Sequence, residues 1–135
     1  MKMLVDTCVW SLSLRRRGKS ALNEAEQRYA RSLAEAIQEG RVAMIGPVRQ
    51  EILSGVKDAG QFERLRSALD AFEDEPIATR DYEQAARLHN LCRSRGIECG
   101  PVDILICAVA AQNRWSILTN DSGLMRCFEA LEACF

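Results

Sequence analysis

Residues 100–111 read GPVDILICAVAA. Pro101 suits the first turn of a helix. From Ile104 to Ala111 no side chain is charged, and none hydrogen-bonds better than the Cys107 thiol. A helix that is apolar on nearly every face is buried, so Val102–Asn113 is expected to run through the interior, with Cys107 as a small core residue. Asp103 opens this run. An unpaired carboxylate is costly in such a place, and its presence asks for a partner.

The flanking segments decide how this helix is housed. Met3-Leu4-Val5, Val42–Ile45 and Ser116–Thr119 read as short strands, with Pro76-Ile77-Ala78 as a weak further one. Helical stretches lie between them. Thr7–Leu14 is short; Ser20–Glu39 is rich in helix formers and stopped by Gly40. Another helix starts at Pro47 and ends near Gly55, and Asp58–Phe72 places Phe62, Leu65 and Leu69 at helical spacing. Thr79–Arg95 follows, with Thr79 as its cap and Gly96 as its stop. The tail, Ser122–Phe135, reads either as one helix or as a short helix plus a strand. Strands alternating with helices predict an α/β sandwich, with helices on both faces of a mostly parallel sheet. No linker, repeat or low-complexity tract interrupts the 135 residues, so residues 1–135 are expected to form a single domain.

Composition narrows the function classes. Apolar residues make up 47% and charged residues 27%, as in a globular protein. Eighteen basic and 19 acidic residues leave a net charge of -1, so no global basic field points to nucleic acid. A local patch does exist: Arg15, Arg16, Arg17 and Lys19 surround Gly18. A solvated loop and a phosphate-contacting patch explain it equally well. MKMLV is too short for an export signal, and Ile104–Ala111 is too short to span a membrane. A cytoplasmic location is expected, with the six scattered cysteines reduced and no C-x-x-C pair to hold zinc.

Ligands in open α/β sheets sit beyond the carboxyl ends of the strands, and acids lie where that rule points. Asp6 ends the first strand and Asp121 follows the last. Glu51 borders the Val48–Ile52–Val56 stripe of its helix, and Asp103 stands in the first turn of the buried one. Each has an ordinary structural alternative: Asp6 can bond its own turn, Asp103 can complement a helix dipole, and Glu51 and Asp121 can be surface acids. Together, four clustered carboxylates would raise one another's pKa values and call for a cation. Arg49 is the only basic residue near any of them in sequence. A hard divalent ion, Mg2+ or Mn2+, prefers oxygen ligands and suits displacement at phosphorus. With His89 as the one histidine, and no GxxxxGK[ST] or GxGxxG loop, triad, two-histidine and nucleotide-fold readings lose support.

Four segments, MLVDTCVW at 3–10, PVRQEILSG at 47–55, PVDILICAVAAQ at 101–112 and ILTNDSGL at 117–124, resemble in order the signature segments of PIN-domain ribonucleases. The resemblance is closest to VapC-type toxins of toxin–antitoxin pairs. It implies a three-layer α/β/α sandwich, often homodimeric. It also implies a metal site of Asp6, Glu51, Asp103 and Asp121, with Thr119 in support. The implied activity is Mg2+- or Mn2+-dependent cleavage of RNA, commonly tRNA or rRNA. The implied partner is a small antitoxin whose tail occupies the groove near the acids. Two positions depart from the pattern. Gly123 and Leu124 stand where the family often has Asp-Phe, and Cys8 stands where a small hydroxyl or amide residue is more usual. A PIN nuclease of RNA maturation without an antitoxin stays open. A Mg2+-binding phosphoacceptor domain lacks its expected acid after a middle strand, and a binding module has no reason to keep a repulsive cluster.

Overall fold

The computed structural model describes residues 1–14 and 22–134. Arg15, Arg16, Arg17 and Lys19 lie outside the described residues. Among the described residues three strands, β1 (Met3–Val5), β2 (Val42–Ala43) and β3 (Ser116–Leu118), form a parallel sheet in the order β2-β1-β3. Met3 pairs with Val42 on one side and Ser116 on the other, so β1 is the central strand. Leu4 and Val5 are fully buried, as a central strand of a covered sheet requires.

The helices around the sheet are α1 (Thr7–Leu14), α2 (Glu24–Gln38), α3 (Gly46–Leu53), α4 (Ala59–Leu69), α5 (Thr79–Ser94), α6 (Pro101–Asn113) and α7 (Ser122–Cys134). They pack in two groups, α2 and α3 against α1 with α4 on α3, and α5, α6 and α7 against one another. The result is the expected α/β/α sandwich. Ile106, Cys107, Ala108, Val109 and Ala110 of α6 are fully buried, which confirms the reading of the apolar run. Gly40 and Gly96 adopt φ of 67° and 70° after α2 and α5, the left-handed stops their positions imply.

Several boundaries differ from the sequence reading. Pro76-Ile77-Ala78 is not a strand; pairing there is a lone parallel bridge from Met44 to Asp74, supported by Glu75 N–H donating to Met44 O. The proline nitrogen cannot donate to a ladder, which favours pairing just before it. The second strand is accordingly Val42–Ala43 rather than Val42–Ile45. Helix α2 starts at Glu24 because Asn23 and Glu26 form a reciprocal capping box. Thr79 is the first residue of α5 and not its cap; Asp81 supplies the cap by accepting from Ala78 N–H at 2.8 Å. Helix α3 ends at Leu53, so Val56 falls outside the stripe assigned to it. The tail is a single helix, α7.

Candidate functional site

Because β1 and β3 are neighbours, the residues that follow them share one rim of the sheet. Asp6 follows β1 and is buried at 4% exposure, an unusual place for a carboxylate. Three donors hold it. Thr7 N–H reaches Oδ1 at 2.7 Å, while the Thr119 hydroxyl and the Cys8 thiol reach Oδ2 at 2.8 and 3.2 Å. Thr119, itself buried, also accepts from Asp121 N–H at 3.0 Å. One hydroxyl therefore ties the end of β1 to the start of α7. Asp121 in turn caps α7, its Oδ1 accepting from Gly123 N–H at 2.8 Å and Leu124 N–H at 3.3 Å.

Glu51 enters from α3. The Thr7 hydroxyl donates to its Oε1 at 2.6 Å, at the short end of the range for an O–H···O bond. Asp103 enters from the first turn of α6. Burial, then the charges of Asp6, Asp121 and Glu51, push its carboxyl up from 3.8 to about 6; the Gly100 N–H partly opposes this. The other three sequence-nominated acids are therefore each within electrostatic reach of Asp103. Thr119 joins them through its bonds to Asp6 and to Asp121 N–H.

Three of the acids stand at helix starts: Asp6 before α1, Asp103 in the first turn of α6, and Asp121 before α7. The positive ends of three helix dipoles and a set of neutral donors thus offset part of the repulsion. The structural alternatives raised for Asp6 and Asp103 hold as well, since Asp6 accepts from its own turn and Asp103 stands in the first turn of α6. Arg49 does not contribute. Its guanidinium turns away to Asp74 and to the Leu69 and Phe72 carbonyls at the end of α4. Among the described residues no ion pair involves any of the four acids.

The donor set is all oxygen and anionic, which fits a hard divalent cation. Among the described residues no group of three or more His, Cys, Asp or Glu side chains is drawn together closely enough to hold a metal ion. An ion that keeps several waters and binds through one or two carboxylates, as Mg2+ does, suits this more open spacing.

Cys8 proves to be a working replacement for a hydroxyl. Its thiol donates to Asp6 and accepts from Asn120 N–H at 3.4 Å. Burial, with a further contribution from the Asp6 charge, pushes it up to about 11, so it stays a neutral donor. At Gly123 an added Cβ would lie 3.2 Å from Asp121 Oδ1, so the glycine leaves room for that carboxylate. Leu124 is fully buried, a core residue. Thr7 is the residue that sequence reasoning missed: its partner lies 44 positions away, beyond any local pattern.

Two other features lie apart from the acids. A hollow of about 780 Å3 near the start of β3 is lined by Trp115, Ile117, Met125 and Phe128 and by none of the four. Cys92 and Cys127 touch at 3.4 Å between α5 and α7; burial pushes them up to about 11 and about 12, as expected of inert core thiols. No helix among the described residues is long and apolar enough to cross a membrane.

Comparison with known proteins agrees with this layout. The family model for the PIN domain matches residues 3–127. Among solved structures, the crystal structure of FitAcB from Neisseria gonorrhoeae superposes with a TM-score of 0.72 at 21% identity, covering 96% of this chain and 93% of that one. No curated protein matches the chain.

Proposed function

Since the chain belongs to the PIN-domain family, whose members are generally nucleases that use divalent metals, we propose that it is a Mg2+- or Mn2+-dependent endoribonuclease. We read it as the toxin of a toxin–antitoxin pair, a single catalytic domain that works in the cytoplasm, cleaves tRNA or rRNA, dimerises, and is silenced by a cognate antitoxin. The segments that resemble VapC-type toxins support the finer part of this reading. The observation that carries the chemistry is Asp103, whose carboxyl is pushed up to about 6 by burial and by Asp6, Asp121 and Glu51 together.

In this reading Asp6, Glu51, Asp103 and Asp121 hold the cation, and Thr119 supports Asp6 and Asp121. A cation held there would supply an activated water and electrostatic stabilisation of the charge developing at a scissile phosphate. The chain's own part is to present oxygen ligands already oriented. Asp6 is fixed by three donors and Asp121 by two backbone N–H groups. Burial and the neighbouring acids make Asp103 easier to protonate than an ordinary carboxyl when no cation is present. The basic run Arg15, Arg16, Arg17 and Lys19 is the proposed RNA-backbone contact, on sequence grounds alone.

The test is induced expression of wild type and Asp103→Asn with RNA ends mapped transcriptome-wide, beside cleavage by the purified protein in Mn2+ and in EDTA. Growth arrest and discrete new RNA ends, lost in the variant and in EDTA, are expected. Cleavage that survives either change overturns the proposed site.

A further inference from the structure

Two of the four carboxylates are anchored by backbone groups at their own helix starts: Asp6 by Thr7 N–H, and Asp121 by Gly123 and Leu124 N–H. Glu51 lacks that kind of anchor. It sits on the exposed surface of α3, and a glutamate there has three rotatable bonds and many conformations to lose. Its carboxylate accepts from the Thr7 hydroxyl at 2.6 Å. The backbone N–H of the same residue donates to Asp6 Oδ1 at 2.7 Å. A single residue at the junction of β1 and α1 therefore grips two acids that come from different elements.

We propose that Thr7 is a positioning residue for the metal site. Its hydroxyl holds the Glu51 carboxylate beside Asp6 so that both can serve one cation. The inference rests on the metal-nuclease reading above and adds to it a residue that touches neither metal nor RNA. Threonine suits the task for two reasons. Its branched Cβ restricts χ1 at the start of a helix, which fixes where the oxygen points. Its hydroxyl carries one proton, and giving it to Glu51 leaves only lone pairs toward the rest of the cluster. Valine keeps the shape without the proton; serine keeps the proton without the second branch.

The experiment measures Mn2+ binding to the full chain directly, from the free-ion electron paramagnetic resonance signal and from the rise in melting temperature on titration. Thr7→Val is expected to melt near wild type in EDTA but to bind Mn2+ about 10-fold or more weakly, the usual effect of losing a group that orients a ligand. Thr7→Ser should bind close to wild type. Glu51→Gln should weaken binding, and Thr7→Val should add little on top of it, because the two changes remove one linkage. Excess Mn2+ should restore RNA cleavage by Thr7→Val. Wild-type Mn2+ affinity in Thr7→Val, with Glu51→Gln still impaired, overturns the positioning role and leaves the metal reading standing. Full additivity of the two changes overturns it as well. Unchanged affinity in Thr7→Val, Glu51→Gln and Asp103→Asn alike overturns the metal reading itself. Should Thr7→Val fail to fold, Thr7→Ala against Thr7→Ser makes the same comparison.

Discussion

Replacing Asp103 with asparagine should make the metal-free protein more stable at neutral pH while removing its function. Asparagine resembles the protonated carboxyl in shape and carries no charge for Asp6, Asp121 and Glu51 to repel. The wild-type carboxyl is held at about 6 against an ordinary 3.8. A difference of that size corresponds to about 3 kcal/mol when the group is fully ionised. Screening at the open side of Asp103 reduces this to about 1–3 kcal/mol. At about 4 °C per kcal/mol for a domain of this size, the variant should melt about 4–12 °C higher.

The sign follows from proton binding. Between about pH 4 and 6 the folded wild type holds the Asp103 proton and the unfolded chain has released it. Wild-type stability therefore falls as pH rises through this window. Above about 6 the penalty is complete, and below about 4 it vanishes. Thermal melts of both proteins in EDTA from pH 4 to pH 8 read this directly: the gap should open across the window and then level off. Adding Mn2+ at pH 7.5 should raise the wild-type melting temperature and leave the variant's nearly unchanged, which narrows or inverts the gap. A variant no more stable than wild type at pH 7.5 in EDTA, or one whose advantage is the same at pH 4, refutes the reasoning.

Other parts of the molecule give sharp expectations. Thr119→Val should lower stability by about 1–3 kcal/mol in urea unfolding, because it strips a donor from buried Asp6 and an acceptor from Asp121 N–H; Thr119→Ser should recover most of that loss. In the native protein a thiol reagent should modify exposed Cys134 first and reach Cys92, Cys107 and Cys127 only on unfolding, as mass spectrometry of labelled peptides would show. Early labelling of Cys92 would contradict its burial. Neutralising Arg15, Arg16, Arg17 and Lys19 should flatten the salt dependence of RNA binding, by about 0.7 in the log–log slope for each RNA phosphate that is no longer neutralised. An unchanged slope returns that run to a solvated loop. Ile106→Ala should cost about 2–5 kcal/mol, since it opens a cavity inside fully buried α6.

Much of the fold is legible locally. Apolar periodicity and stop residues carry their information within a few positions, so the buried helix α6, the strands at Met3–Val5 and Ser116–Leu118, and the glycine stops after α2 and α5 all follow from neighbouring residues. Boundaries are less legible where side chains settle them: the capping box at Asn23 and Glu26 and the reach of Asp81 back to Ala78 move two helix starts from where composition puts them. The acids could be nominated because each sits beside an apolar segment, where charge is out of place.

What the chain could not declare locally is which of these segments are neighbours. That β1 lies between β2 and β3, that Thr119 reaches Asp6 across 113 positions and Thr7 reaches Glu51 across 44, and that Arg49 turns to α4 instead of the acids, are decided by packing the two groups of helices around one sheet. The physical reason is range. Propensity and periodicity act over a turn of helix or a few residues of strand, whereas side-chain partners depend on long-range contacts that form only once the core has closed. Asp103 illustrates the division. Its place at the head of a buried helix is written in twelve consecutive residues, but the three carboxylates that push its pKa upward meet it only in the folded protein.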